Sequence, residues 1–268
     1  MISHSVVDTL TLLSGAYQKR IRPKFSGLEA MPGGRFVVKL PRKILDILTK
    51  AFGAFFKRSS DIDALQNRLQ DLHVAQIGGT TRSFFDQAPN LVRFNTHDWR
   101  SGDNSRDSSD YVRIEGGTSL PWQDNSFDVV VSRHALEHIS NPVAAIKEWM
   151  RILKPGGVVY VSVPDRRKTT EHVRELTPLR HFVEDYENQV PEFDRTHEAE
   201  IMRVGVGIQK HDKYEIPFIH YHTFEPSNLT ELLKFCGLEV MPLSVGDLHL
   251  LRHRPWDLIA MARKPLAE

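Results

Sequence analysis

From residue 73 onward, short apolar runs alternate with segments whose apolar residues recur at helical spacing. The runs are HVAQIGG, LVRFN, YVRI, FDVVVS and GVVYVSV. Strand and helix periods in alternation predict βαβ units and a parallel sheet. Between the last two runs, NPVAAIKEWMRILKPGG places Val143, Ile146, Trp149, Met150 and Leu153 on one face of a helix. Asn141 is suited to its N-cap and Pro142 to its first turn, and Pro155, Gly156 and Gly157 end it. Strands this apolar are buried on both faces and need helices on each side, so the expected class is α/β with a doubly wound sheet. Residues 164–219 are polar and irregular, with one helix expected over TPLRHFVEDYEN, and read as an inserted cap. EPSNLTELLKFCGLEV then predicts a helix leading into a strand at 238–241, and WDLIAMARK a final strand.

The first 70 residues lack this alternation. After a Gly/Pro break at 31–34, Ile44, Ile47, Leu48, Ala51, Phe52 and Phe55 recur at helical spacing between Arg42, Lys43, Lys50, Lys57 and Arg58. The expected organisation is a helical extension over 1–70 and a main domain over 71–268, with its cap at about 166–219. The basic amphipathic helix at 40–58 is expected to pack on the body; the other reading is peripheral contact with an anionic membrane surface.

Composition changes this picture little. A chain of 268 residues with 40% apolar content can bury a real core, and a formal net charge of +1 gives no reason to expect nucleic acid as a partner. The single cysteine, Cys236, reads as a small buried hydrophobe, which fits a reducing cytoplasm. No run approaches the roughly 20 apolar residues of a membrane span, and the N-terminus lacks the basic start of a signal peptide. A cytoplasmic location is expected.

The stretch LPWQDNSFDVVVSRHALEHISNPVAAIKEWMRILKPGGVVYVSVPD, residues 120–165, carries the chemistry. It resembles the type 11 group of class I S-adenosylmethionine-dependent methyltransferases, through LPF-x-DNSFD, S-x-x-LEH, LKPGG and a strand ending in VPD. The resemblance is strongest over 110–165 and extends over 73–264. It implies a Rossmann-like, mostly parallel sheet with an antiparallel last strand, S-adenosylmethionine as cofactor, and methyl transfer to an oxygen or nitrogen. PDRRKTTE, TPLRHFVEDYEN and IHYHTF further resemble a bacterial subgroup associated with sugar or cell-surface polysaccharide biosynthesis, which points to a small-molecule or glycan-linked acceptor.

In an open parallel sheet, ligands bind beyond the carboxyl ends of the strands at the point where strand order reverses. The expected cofactor residues are therefore Gln76, Gly78, Gly79 and Thr80 after the first strand, and His97 or Asp98 after the second. Gly117, Thr118, Ser119 and Leu120, with Ser132 and Arg133 at the end of the fourth strand, complete the set. Gly78 and Gly79 let the backbone approach a ligand, and the following helix start is expected to offer N–H groups to the methionine carboxylate. The chain departs from the family pattern in three places. Gln76 stands where an acid is usual, the glycines are adjacent, and Gly116 occupies the place of the acid near the adenine amine. A degenerate binding protein of the same fold is thus the alternative function.

His134-Ala-Leu-Glu137-His138 also spells the H-x-x-E-H motif of zinc peptidases. It follows a buried parallel strand rather than lying on a helix, so no metal is expected and zinc hydrolysis is a distant alternative. For the base that deprotonates the acceptor, His134, His220 and His222 are the candidates. Alternation along IHYHTF places His220 and His222 on one side, with Tyr221 opposite. Asp165, Arg166 and Arg167 leave the fifth strand and, with Tyr221, are expected to border the acceptor.

Overall fold

The computed structural model of the chain describes residues 28–31, 35–38, 59–78, 84–95, 111–114, 116–192, 194, 197–205, 208–209, 218–251 and 254–266. Two compact units divide it, Met1–Ala54 and Phe55–Glu268. The described part of the first unit is an antiparallel hairpin, β1 (Leu28–Met31) paired with β2 (Arg35–Val38), where a helical extension was expected. LEAM and RFVV are short runs on either side of the Pro/Gly break. The amphipathic segment 40–58 lies outside the described residues.

The second unit begins with α1 (Ser60–Asn67), capped by the Ser59 side chain accepting from the Ile62 N–H. The sheet strands follow: β3 (His73–Ile77), β4 (Asn90–Asn95), β5 (Tyr111–Arg113) and β6 (Phe127–Arg133). After them come α2 (Pro142–Ile152), β7 (Leu153–Pro164), the insertion helices α3 (Leu179–Glu187) and α4 (Glu198–Val204), and the two-residue strands β8 (Ile208–Gln209) and β9 (Phe218–Ile219). The chain closes with α5 (Pro226–Phe235), β10 (Glu239–Val240), α6 (Val245–Leu251) and β11 (Asp257–Arg263). The main sheet has seven strands in the order β10-β11-β7-β6-β3-β4-β5. β4, β3, β6, β7 and β5 are parallel; β11 runs antiparallel between β7 and β10.

Alternation along the strands sorts the core into two layers. Val130, Val159, Val161 and Val163 face α2, α3 and α5, meeting Val143, Ile146, Trp149, Phe182, Leu229, Leu232 and Leu233. Val74, Val129, Val131, Val158 and Tyr160 face the opposite way, onto Ile62 of α1, Phe85 and Leu251 of α6. α2 ends where expected: Lys264, just past β11, donates to the Met150 and Leu153 carbonyls that the helix leaves unpaired. Its N-cap is Asn141, which accepts from the Ala144 N–H. Cys236 is buried, and burial pushes its thiol up to about 12.

Between β3 and β4 the described residues form a four-residue 3-10 turn, Phe84–Gln87; the helix start expected to offer N–H groups falls at 79–83, outside the described residues. The insertion leaves the sheet after β7 and returns beside its own start: Asp165 bridges Phe224, and the Arg166 N–H donates to the Phe224 carbonyl.

Candidate active site

Strand order reverses at β3, which has β4 on one side and β6 on the other. This is where an open α/β sheet holds its ligand. At the carboxyl end of β3, Gly78 has φ +67°, and a Cβ there would lie 2.6 Å from the Ala135 Cβ. No larger residue fits without moving the turn after β6. The Gln76 side-chain amide donates to the Gly78 carbonyl at 3.1 Å and the Gly78 N–H to the Phe94 carbonyl, which fixes the strand end. Gly79, Thr80, His97 and Asp98 lie outside the described residues.

The segment before β6 is clamped to α2. Glu148 accepts from the Leu120 N–H at 2.7 Å, while Arg151 donates to the Leu120 and Trp122 carbonyls and to Glu148 and Asp124. A Cβ on Gly116 would meet the Glu192 carboxylate and one on Gly117 the end of the Ile139 side chain, so a side chain enters either position only if those groups move. Glu192, from the insertion, accepts from the Thr118 N–H at 3.0 Å and the Thr118 hydroxyl at 2.9 Å. A carboxylate is therefore present beside Gly116 after all, supplied from 76 positions further along the chain (192 − 116). Ser119 is exposed and Leu120 buried. At the end of β6 the Ser132 hydroxyl is buried with no partner among the described residues, and Arg133 is buried on the opposite face, its guanidinium pKa lowered by that burial.

The turn after β6 does not build a zinc motif. Leu136–His138 is a single 3-10 turn, and His134 adopts φ +45°. His134 Nδ1 lies 3.2 Å from Glu137 and Nε2 3.0 Å from Asp257. Both carboxylates are 1% exposed and can only accept, so both ring nitrogens carry hydrogen and the ring is an imidazolium. Burial alone lowers its pKa, but the bonds to Asp257 and Glu137 outweigh that and hold it at about 9. A group already protonated at neutral pH takes no proton from an acceptor, which removes His134 as the base. His138 is opposite in character: burial drives it down to about 3, and its Nδ1–H donates to the Ile219 carbonyl at 2.8 Å.

His220 and His222 do not share a face, contrary to the expected alternation. β9 stops at Ile219, and Arg174 takes both the His220 and the Tyr221 carbonyls, so the chain is not extended there. His220 packs edge-on against His138 at 4.6 Å, beside the turn after β6, with Nδ1 2.9 Å from Glu171. Glu171 is itself held by Arg174. His222 has no exposed surface and bonds Asp185 at 3.0 Å, which rules it out as a base reaching solvent or acceptor. Tyr221 is buried with Ile201 and Ile219. Asp165 is paired with Arg167 and Lys168, and Arg166 with Glu225, so the charges of this group are matched among themselves.

Residues 85–161 match the family model described as a methyltransferase domain. The sheet order, read from β5 to β10 with β11 antiparallel between β7 and β10, stands with that match. The chain has a Rossmann-like, mostly parallel sheet with β11 antiparallel. The protein is similar, at 51% identity over 73 residues, to the uncharacterized protein YafE of Escherichia coli, covering 24% of this chain and 35% of YafE. At 30% identity over 121 residues it resembles a demethylmenaquinone methyltransferase of Beutenbergia cavernae, covering 44% and 50%. The chain thus spans between about a third and a half of these curated relatives. Among solved structures, an S-adenosylmethionine-dependent methyltransferase of Methanosarcina mazei aligns at 20% identity with a TM-score of 0.46, covering 76% of this chain and 98% of that one. S-adenosylmethionine is the cofactor this family implies. The matched stretch starts at residue 85, after the glycine loop, so Gln76 and the adjacent glycines lie outside it while Gly116 lies within it.

Sequence reasoning missed Glu171, Arg174, Glu192 and Asp257. Each lies far along the chain from the residue it serves, and no local spacing marks it.

Proposed function

We propose that the protein is an S-adenosylmethionine-dependent methyltransferase acting on an oxygen or nitrogen of a small-molecule or glycan-linked acceptor. The observation that carries this reading is the Glu171–His220 pair, set against the turn that follows β6 at the switch point of a methyltransferase sheet.

The described residues fit the cofactor. Gly78 admits no side chain without moving the turn at Ala135, the orphaned Ser132 hydroxyl offers a polar contact, and Glu192 orders the Gly116–Thr118 segment. Gln76 cannot supply the charge of the usual acid, and its amide is spent on Gly78. When bound, S-adenosylmethionine supplies an electrophilic methyl carbon. The protein's part is to position the acceptor and remove its proton. Glu171 accepts from His220 Nδ1–H, which leaves Nε2 as the basic nitrogen and stabilises the imidazolium that forms. The neighbouring His138, kept neutral by burial, places no positive charge against that imidazolium.

Gln76 and the adjacent glycines favour a second reading, a ligand-binding relative without turnover. The two are separated by supplying methyl-labelled S-adenosylmethionine with hydroxyl- and amine-bearing sugars and glycolipid extracts. Label in an acceptor, with matching S-adenosylhomocysteine, supports transfer; tight cofactor binding with no product from any acceptor supports the binding protein.

A further inference from the structure

The insertion contains a second group of titratable side chains that the proposed reaction does not use. His181 and Asp185 lie one turn apart on α3, His197 precedes α4, and His222 lies where the chain returns to the sheet. His181 Nε2 is 2.8 Å from His197 Nε2, and His222 Nε2 is 3.0 Å from Asp185. The Asp185 carboxylate also lies 3.7 Å from His181 Nε2 and 3.8 Å from His197 Nε2. All four donor atoms fall within 4.8 Å of one another. Zinc bonds of 2.0–2.1 Å in tetrahedral geometry set ligand atoms about 3.3 Å apart. The observed separations straddle that value.

We infer that His181, Asp185, His197 and His222 form a four-coordinate site for a divalent transition metal, zinc by its donor set, that fastens the insertion to the sheet.

Three features support a cation and not a hydrogen-bonded cluster. Three imidazoles direct the same nitrogen, Nε2, toward one carboxylate, and each such nitrogen carries either a lone pair or one hydrogen. One proton in the 2.8 Å gap joins His181 to His197, and a cation in its place accepts a lone pair from all three rings and the carboxylate together. Asp185, His197 and His222 are buried, and His181 is the member that reaches the surface. The outer nitrogen of His197 faces Asp194 at 3.4 Å, the carboxylate-to-histidine arrangement that orients metal-bound imidazoles. Four protein donors leave no open position, which marks a structural site. Glu137, His138 and His220, the other close group, do not qualify, because Glu137 is already neutralised by His134 and His220 is held by Glu171.

The site has a consequence for the cofactor side. Its ligands flank the segment that carries Glu192, and that segment is also tied down by Ser140 donating to the Pro191 carbonyl. A metal at 181–222 therefore holds in place the residue that orders Gly116–Thr118.

Metal content by mass spectrometry of the full chain, purified with no added metal and again after zinc loading and dialysis, tests the site. One zinc per chain is expected, and cobalt loaded into the chelator-treated protein should give the strong visible absorption of tetrahedral N/O coordination. His181→Ala and Asp185→Asn should each lower retained metal at least about tenfold, while the exposed His172→Ala keeps it. Chelation should lower the wild-type melting temperature by about 5 °C or more. Less than about a tenth of an ion per chain after loading, a weak octahedral cobalt spectrum, or full retention in folded His181→Ala would overturn the assignment. If the variants do not fold, the wild-type stoichiometry and cobalt spectrum decide it. None of these readouts requires methyl transfer.

Discussion

Two groups of histidines and carboxylates lie in the same domain with opposite charge balance. Beside β6, one imidazole, His134, is shared between two buried carboxylates, Glu137 and Asp257. In the insertion, three imidazoles converge on a single carboxylate, Asp185. The first group is complete without any ligand, because the acids convert the ring into a fixed cation. The second brings three imidazole nitrogens onto one carboxylate, the donor set that the proposed metal would take. Residue type alone does not separate a structural histidine from a ligand or a base; the number of acceptors around each ring does. His220, with one carboxylate on one nitrogen and the other nitrogen left as an acceptor, is the intermediate case that suits proton transfer.

The strongest way to break this contrast is to remove the shared cation. His134→Ala leaves Glu137 buried without its ion pair and Asp257 with only the Arg254 N–H, and the expected loss is about 3–5 kcal/mol in urea denaturation. A loss under about 1 kcal/mol would mean that the carboxylates are not dependent on the ring. Next comes the base: His220→Ala should lower turnover by roughly 10²–10⁴-fold while S-adenosylhomocysteine affinity stays nearly unchanged. Glu171→Gln should lower turnover less and shift the acid limb of the pH profile, since it changes the partner of Nδ1 and not the base itself.

The charge state of His134 gives a pH signature. Its folded pKa, about 9, lies above the ordinary 6.5, so its stabilisation is fully present below pH 6.5 and is lost as pH rises through 9. Stability measured by denaturant should therefore decline by roughly 1–3 kcal/mol across that window, and His134→Gln should flatten the decline. The smallest expected effect lies at Glu192, where Glu192→Gln removes a charge from two hydrogen bonds on Thr118. S-adenosylhomocysteine binding should weaken by about 5–30-fold, a cost of about 1–2 kcal/mol. Unchanged affinity would detach the Gly116–Thr118 segment from the cofactor.

The seven-stranded sheet was largely legible in the chain because its strands are buried on both faces, so FDVVVS and GVVYVSV stand out as unbroken apolar runs. The helix at Pro142–Ile152 carries its own cap and stop signals. The 3-10 turn at Phe84–Gln87 was not legible, because the residues there set no period. His220 and His222 misled for a tertiary reason: alternation holds only in extended chain, and Arg174, some 46 positions away, claims the backbone there. His134 looked like a base until Asp257, from the last strand, was placed beside it. The insertion's donor set has one local trace, His181 and Asp185 spaced four apart in TPLRHFVEDYEN, but its other two ligands are scattered over the next 37 positions (222 − 185).

Calorimetric titration of the full chain with S-adenosylmethionine and S-adenosylhomocysteine tests the central claim, that the altered loop still serves a methyltransferase site. The account predicts saturable binding of one molecule per chain, with dissociation constants within the range of about 1 μM to 1 mM typical of enzyme substrates. Folded protein that gives no heat of binding with either compound at millimolar concentration would contradict it.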